Sequence, residues 1–114
     1  MNNPTLVLSG VKVLVIDDEP EVRDIIKRIL TLYHANVMAA ANAAGALEQI
    51  KTLRPDVILS DIDMPRMDGY QFIREVRNLP AHKGGLTPAV ALTAFNRRED
   101  RTNAINAGFQ KYLS

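Results

Sequence analysis

Apolar positions follow two rhythms along this chain. Short, nearly unbroken apolar runs alternate with longer stretches in which apolar residues recur every three or four positions. Val11 to Ile16 (Val-Lys-Val-Leu-Val-Ile) is of the first kind and predicts a strand covered on both faces. Pro20 then opens a stretch in which Val22, Ile25, Ile26, Ile29, Leu30 and Tyr33 fall at helical spacing. That predicts an amphipathic helix whose Ile and Leu stripe is core. Asn36 to Ala40 is a weaker strand. Asn42 caps a second helix with Ala43, Ala46, Leu47, Ile50 and Leu53 on its buried face, and Pro55 stops it. Val57 to Ser60 is a third strand that runs into Asp61. Pro65 keeps the following residues a loop, and Asp68 caps a third helix with Phe72, Ile73, Val76 and Leu79 inward, ending near Pro80. His82-Lys83-Gly84-Gly85 reads as a mobile connection. Pro88 to Thr93 is a fourth strand. Asn96 caps a mostly polar fourth helix with a thin stripe of Ala104, Ile105 and Ala107, closed by Gly108. Phe109 to Leu113 begins a last strand.

Strand and helix therefore alternate, which places the chain in the α/β class. Parallel strands with right-handed helical crossovers follow, and the simplest packing is a doubly wound sheet with helices on both faces. Residues 1–10 read as a leader or linker, and 11–114 as one domain. A length of 114 residues suffices for a single core. A formal net charge of +1 gives no reason to expect direct nucleic-acid binding or contact with an anionic membrane. The chain has no cysteine, so disulfide and thiol chemistry are excluded. No apolar run reaches the roughly 20 residues of a membrane helix, and the cytoplasm is the expected compartment.

The candidate chemistry gathers at strand ends. Asp17-Asp18 follows the first strand and Asp61 the third. In a parallel sheet both ends point the same way, where ligands of open α/β sheets bind. If the two strands are neighbours, three carboxylates converge, and their mutual repulsion raises their pKa values or demands a cation. Oxygen ligands without His or Cys suit Mg²⁺, which takes one or two carboxylates, waters and a phosphate oxygen. An aspartate can itself be the nucleophile that receives a phosphoryl group. The fourth strand ends at Thr93-Ala94, where a hydroxyl can donate to a phosphoryl oxygen and a small side chain leaves room for it.

Four segments carry a resemblance: Val13 to Pro20 (Val-Leu-Val-Ile-Asp-Asp-Glu-Pro), Asp61 to Gly69 (Asp-Ile-Asp-Met-Pro-Arg-Met-Asp-Gly), Ala91-Leu92-Thr93-Ala94, and Ala107-Gly108 followed by Tyr112-Leu113-Ser114. In this order and spacing they resemble the receiver domain of bacterial two-component response regulators. The resemblance implies a flavodoxin-like, five-stranded parallel sheet of order 2-1-3-4-5. It implies that Asp61 is the phosphoacceptor, taking its phosphoryl group from a histidine kinase or a histidine phosphotransfer domain. Asp18, Asp61 and the backbone carbonyl of Asp63 would ligate Mg²⁺, with Asp17 acting through water. Thr93 and Tyr112 would be switch residues that re-shape the face of the fourth helix and fifth strand, where an output domain or downstream protein docks. Glu19-Pro20, Gly84-Gly85 within the Leu79 to Pro88 connection, Ala107 to Gln110, and Leu8-Ser9-Gly10 look most like receivers of hybrid sensor histidine kinases.

The chain departs from the family at its end. The family has a lysine after the position of Ser114 and then a fifth helix, and Lys111 does not match that lysine. The expectation is a C-terminally truncated receiver with apolar surface exposed beside the first helix, prone to self-association. Blander readings stand beside the sharp ones. Asp17-Asp18-Glu19 fits the start of any helix, Asp68 fits a cap, and Tyr112 fits plain core. His34 and His82 fit the surface, and Arg97, Arg98 and Arg101 a solvated helix face. Two other functions compete: a receiver-like docking module that is never phosphorylated, and a haloacid-dehalogenase-like phosphatase suggested by Asp61-Ile62-Asp63.

Overall fold

The computed structural model describes residues 8–92 and 98–113. Its elements in chain order are β1 (Lys12–Ile16), α1 (Pro20–Leu32), β2 (Asn36–Ala40), α2 (Ala43–Leu53), β3 (Val57–Asp61), α3 (Gly69–Arg77), β4 (Ala89–Leu92), α4 (Arg98–Ala107) and β5 (Lys111–Leu113), with a short 3-10 helix at Ala81–Lys83. The five strands form one sheet of order β2-β1-β3-β4-β5, and every neighbouring pair is parallel. This is the doubly wound α/β arrangement expected from the alternating pattern.

Strand periodicity divides the core in two. Leu14, Ile16 and Ile58 face α2, α3 and α4, and pack with Ala46, Ile50, Phe72, Ile73, Val76 and Ala104. Val13 and Val15 face the other way, toward Ile26 and Leu30 of α1. The second face is thinly covered. Ile25 is 56% exposed, Ile29 50% and Leu32 71%, and no α1 residue is fully buried. The reading of the whole Ile and Leu stripe as core is therefore corrected. Only the Ile26–Leu30 edge of α1 packs on the sheet, and Ile25, Ile29 and Leu32 fall together on the flank of the helix turned away from it. Leu53, expected inside, is also half exposed.

Local signals placed the helices well. Asn42 accepts from the Gly45 amide at 2.8 Å. Asp68 and Gln71 form a reciprocal capping box, Gln71 N–H donating to Asp68 Oδ1 at 2.9 Å and Asp68 N–H to Gln71 Oε1 at 3.1 Å. Gly108 takes φ +132° just past α4 and gives its amide to the Ala104 and Ile105 carbonyls. The Asn96 cap lies outside the described residues.

The connection before β4 differs from expectation. Residues 81–83 form a turn of 3-10 helix. Lys83 N–H donates to the Pro80 carbonyl, and Gly84 N–H to the Ala81 carbonyl. A Cβ on Gly85 would lie 1.9 Å from the Leu79 carbonyl oxygen, so the chain needs glycine there to turn this closely. The segment is a packed turn; glycine was chosen for space rather than for mobility.

Candidate functional site: an acidic pocket at the strand ends

β1 and β3 lie side by side, with Val13 opposite Val57 and Ile16 opposite Ser60. That register carries Asp17 and Asp61 to the same edge of the sheet. Carboxylate oxygens of Asp17, Asp18 and Asp61 all lie within 4.8 Å of one another. The three acids read from the sequence as a convergent group do converge.

Backbone contacts fix the two strand-end acids, Asp17 and Asp61. Asp17 N–H donates to the Ala40 carbonyl of β2, and its Oδ1 accepts from Glu19 N–H at 2.9 Å. The Arg23 guanidinium reaches back one turn along α1 and donates to the Asp17 carbonyl at 2.6 Å. Ile62 N–H donates to the Leu92 carbonyl, tying the residue after Asp61 to β4. Ser60 is fully buried, and its hydroxyl donates to the Asp61 carbonyl at 2.9 Å. Gly69 N–H closes the far side of the loop on the Ile62 carbonyl at 2.8 Å. A Cβ on Gly69 would stand 2.6 Å from the Asp61 carbonyl oxygen, so this approach requires glycine.

The electrostatics follow from burial and crowding. Asp61 is pushed up to about 6, first by loss of water and then by the Asp17 carboxylate, with smaller repulsion from Asp18 and Asp63. The Asp63 amide, 3.4 Å from Asp61 Oδ1, opposes this. Asp17 is also raised, chiefly by burial, against the amide of Glu19. Crowded acids whose charged forms are this disfavoured, with oxygen donors only, make a pocket that can hold a metal ion.

The other expected residues are placed as follows. The Asp63 side chain is exposed and stands outside the three-acid group. Asp68 serves as the helix cap. Tyr112 is buried at 8% exposure, with the Arg101 guanidinium carbon 6.0 Å from its ring centre. Thr93 and Ala94 lie outside the described residues. Sequence reasoning overlooked Arg23 and Ser60. An arginine one turn beyond the acid pair was a usable signal for the first; nothing marked the second, whose partner is a backbone carbonyl.

Residues 13–114 match the family described as the response regulator receiver domain. The chain is 43% identical to a 14.6 kDa protein from the sodA1 3' region of Leptolyngbya boryana, over 94% of this chain and 80% of that protein. It is 35% identical to the response regulator MprA of Mycobacterium ulcerans, over 91% of this chain but only 43% of that protein, so it spans less than half of that relative. Among solved structures it resembles the receiver domain of the histidine kinase CKI1 from Arabidopsis thaliana complexed with Mg²⁺ and BeF₃⁻. The TM-score is 0.81 at 27% identity, covering 93% of this chain and 81% of that one.

Proposed function

This chain belongs to the response regulator receiver domains, and we propose that its Asp61 accepts a phosphoryl group from a phosphohistidine. The observation that carries the reading is the convergence of Asp17, Asp18 and Asp61 on one pocket at the carboxyl ends of β1 and β3. An ionised Asp61 oxygen attacks phosphorus as the phosphorus–nitrogen bond to the donor imidazole breaks. The imidazole nitrogen leaves with the bonding pair and takes a proton from solvent. Water later cleaves the acyl phosphate and restores the carboxylate.

Asp18, Asp61 and the carbonyl of Asp63 would hold Mg²⁺, with Asp17 through water. The bound ion supplies charge neutralisation between the acids and the incoming phosphoryl oxygens. The protein's part is to keep Asp61 at a fixed strand end, which the Ser60 hydroxyl and the Gly69 amide do on either side. Thr93 and Ala94 take their assigned roles, hydroxyl donor and space for the phosphoryl group, from the family pattern. Tyr112 is assigned the switch between α4 and β5. The donor is a histidine kinase or histidine phosphotransfer domain, and the reader an output domain or downstream protein. Among the described residues no helix is long and apolar enough to cross a membrane, which accords with a cytoplasmic relay.

Intact mass measured after treatment with acetyl phosphate tests this. A single phosphoryl adduct is expected, dependent on Mg²⁺, labile to base and absent in Asp61→Asn. An adduct that persists in Asp61→Asn overturns the assignment. Continuous release of phosphate would indicate a phosphatase, and no adduct a docking module.

A further inference from the structure

The turn that leads from β1 into α1 is held without a side-chain helix cap. Glu19 stands at the cap position with extended backbone, and its side chain makes no capping bond. Pro20 opens the helix with its φ set by the ring. The bonds that shape the turn converge on Asp17 instead. Its N–H donates to the Ala40 carbonyl at 3.2 Å, its Oδ1 accepts from Glu19 N–H at 2.9 Å, and its carbonyl accepts from Arg23 Nη1 at 2.6 Å. Amide, carboxylate and carbonyl of one residue are thus each engaged by a different part of the chain.

The third of these bonds bears on Asp18. The Asp17 carbonyl and the Asp18 amide belong to one planar peptide group, so a bond that fixes the carbonyl fixes the plane from which Asp18 departs. The half-buried Arg23 is itself anchored, its N–H donating to the Glu19 carbonyl at 3.1 Å in the first turn of α1. Residues 17–23 therefore form a ring closed by a hydrogen bond from a charged donor, which is of the stronger kind. Asp18 lies inside that ring, and its carboxylate is within 4.8 Å of those of Asp17 and Asp61.

Arg23 also brings a positive charge toward three acids. On Asp17 that charge ranks last of four influences, after burial, the Glu19 amide and the Asp18 carboxylate. By charge alone an arginine here would compete with a metal ion. Its bond to the Asp17 carbonyl is what favours such an ion.

A turn held this firmly discriminates between ions. Mg²⁺ demands near-octahedral oxygens at about 2.0–2.1 Å, whereas Ca²⁺ accepts a looser shell of oxygens at about 2.3–2.6 Å. We propose that Arg23 is a positioning residue for the metal: through the Asp17 carbonyl it sets the orientation of Asp18, and so favours Mg²⁺ over Ca²⁺ at the acid pocket. The inference rests on the reading of Asp18 and Asp61 as metal ligands, and adds to it a residue that holds the turn without being a ligand itself.

Calorimetric titration of the 114-residue chain with Mg²⁺ and, separately, with Ca²⁺ tests this, alongside Arg23→Met and Arg23→Lys. Methionine keeps an unbranched stem and removes both charge and donors, while lysine keeps the charge and a flexible ammonium donor. Arg23→Met should lose about tenfold in Mg²⁺ affinity, the lower end for a residue that orients a metal ligand, and keep nearly all of its Ca²⁺ affinity. Arg23→Lys should show a smaller loss of the same kind, and it carries the test should Arg23→Met fail to fold. In the metal-free variants amide exchange should quicken at 17–19 and stay unchanged in β3 and α3. Tighter binding of both ions in Arg23→Met shows that Arg23 acts by its charge, and overturns the proposal. Equal losses for the two ions, or none, overturn it as well. Exchange that quickens everywhere or nowhere overturns the route through Asp17. An unsubstituted chain that binds neither ion overturns the metal reading itself, and the proposal with it; a chain that binds Mg²⁺ with a preference indifferent to Arg23 overturns the proposal alone.

Discussion

Asp17 and Asp61 end adjacent parallel strands, and the pairing of Ile16 with Ser60 sets their carboxylates in one pocket. Neither acid is unusual alone. The pocket exists because β1 and β3 are direct neighbours, and burial in it, followed by the Asp17 carboxylate, raises Asp61 to about 6.

A pH dependence follows. Asp61 in the folded chain holds its proton above the ordinary carboxylate range, so its contribution to stability is present below the unfolded value near 4 and is lost as pH rises through about 6. Asp17, also raised, acts in the same direction. In the absence of divalent ions this effect should lower the melting temperature from about pH 4 to about pH 6 and level off above it, and Asp61→Asn should flatten that slope. Melts that keep the same slope in Asp61→Asn would place the effect elsewhere. The same protonation predicts that Mg²⁺ affinity weakens as pH drops below about 6.

Two glycines should respond oppositely to alanine. At Gly69 the new Cβ meets the Asp61 carbonyl and Ile62 Cα, both backbone, and neither can yield alone. Gly69→Ala should cost about 1–3 kcal/mol in urea unfolding and weaken Mg²⁺ binding. Gly45 lies in the first turn of α2 with only ordinary contact to Asn42. Gly45→Ala should stabilise by about 0.4–1 kcal/mol. A destabilised Gly45→Ala would show that the Asn42 cap tolerates less than its geometry implies.

The exposed flank of α1 and the buried face of α2 offer a direct comparison. Ile50→Ala removes a fully buried side chain and should cost about 2–5 kcal/mol. Ile29→Ala acts on a half-exposed side chain and should cost well under 1 kcal/mol, about the scale of surface substitutions. Equal losses from chemical denaturation would mean that Ile29 is covered in solution.

Breaking the capping box isolates the start of α3. Asp68→Ala should cost about 1 kcal/mol, and the loss should appear as a lower melting temperature by circular dichroism.

Much of this fold was legible because its signals are local. Asn42, Asp68 and Gly108 each announce a helix end through a bond to backbone a few residues away, and β1 shows itself by apolar continuity. The acids were legible because strand ends are predictable and parallel strands share an edge. The exposure of Ile25 and Ile29 was legible only in outline: apolar surface beside the first helix was expected, but periodicity defines a face and does not say which of its residues are covered. Arg77 was hidden altogether: three of its partners are the main-chain carbonyls of Gly85, Thr87 and Gly108, which any residue could supply. The contact of the Tyr70 hydroxyl with Asp100 spans two helices, and no spacing rule connects them.

The β1–β3 pairing also bears on how the chain comes to be competent. Asp17 and Asp61 are separated by α1, β2 and α2, so their pocket closes only after a long loop has been drawn together, a slow class of contact in folding. A chain emerging from synthesis carries Asp17 well before it carries Asp61, and both are present before the sheet has joined them. The pocket is therefore a property of finished tertiary structure: a partly melted copy keeps every acid and has no pocket to offer a donor.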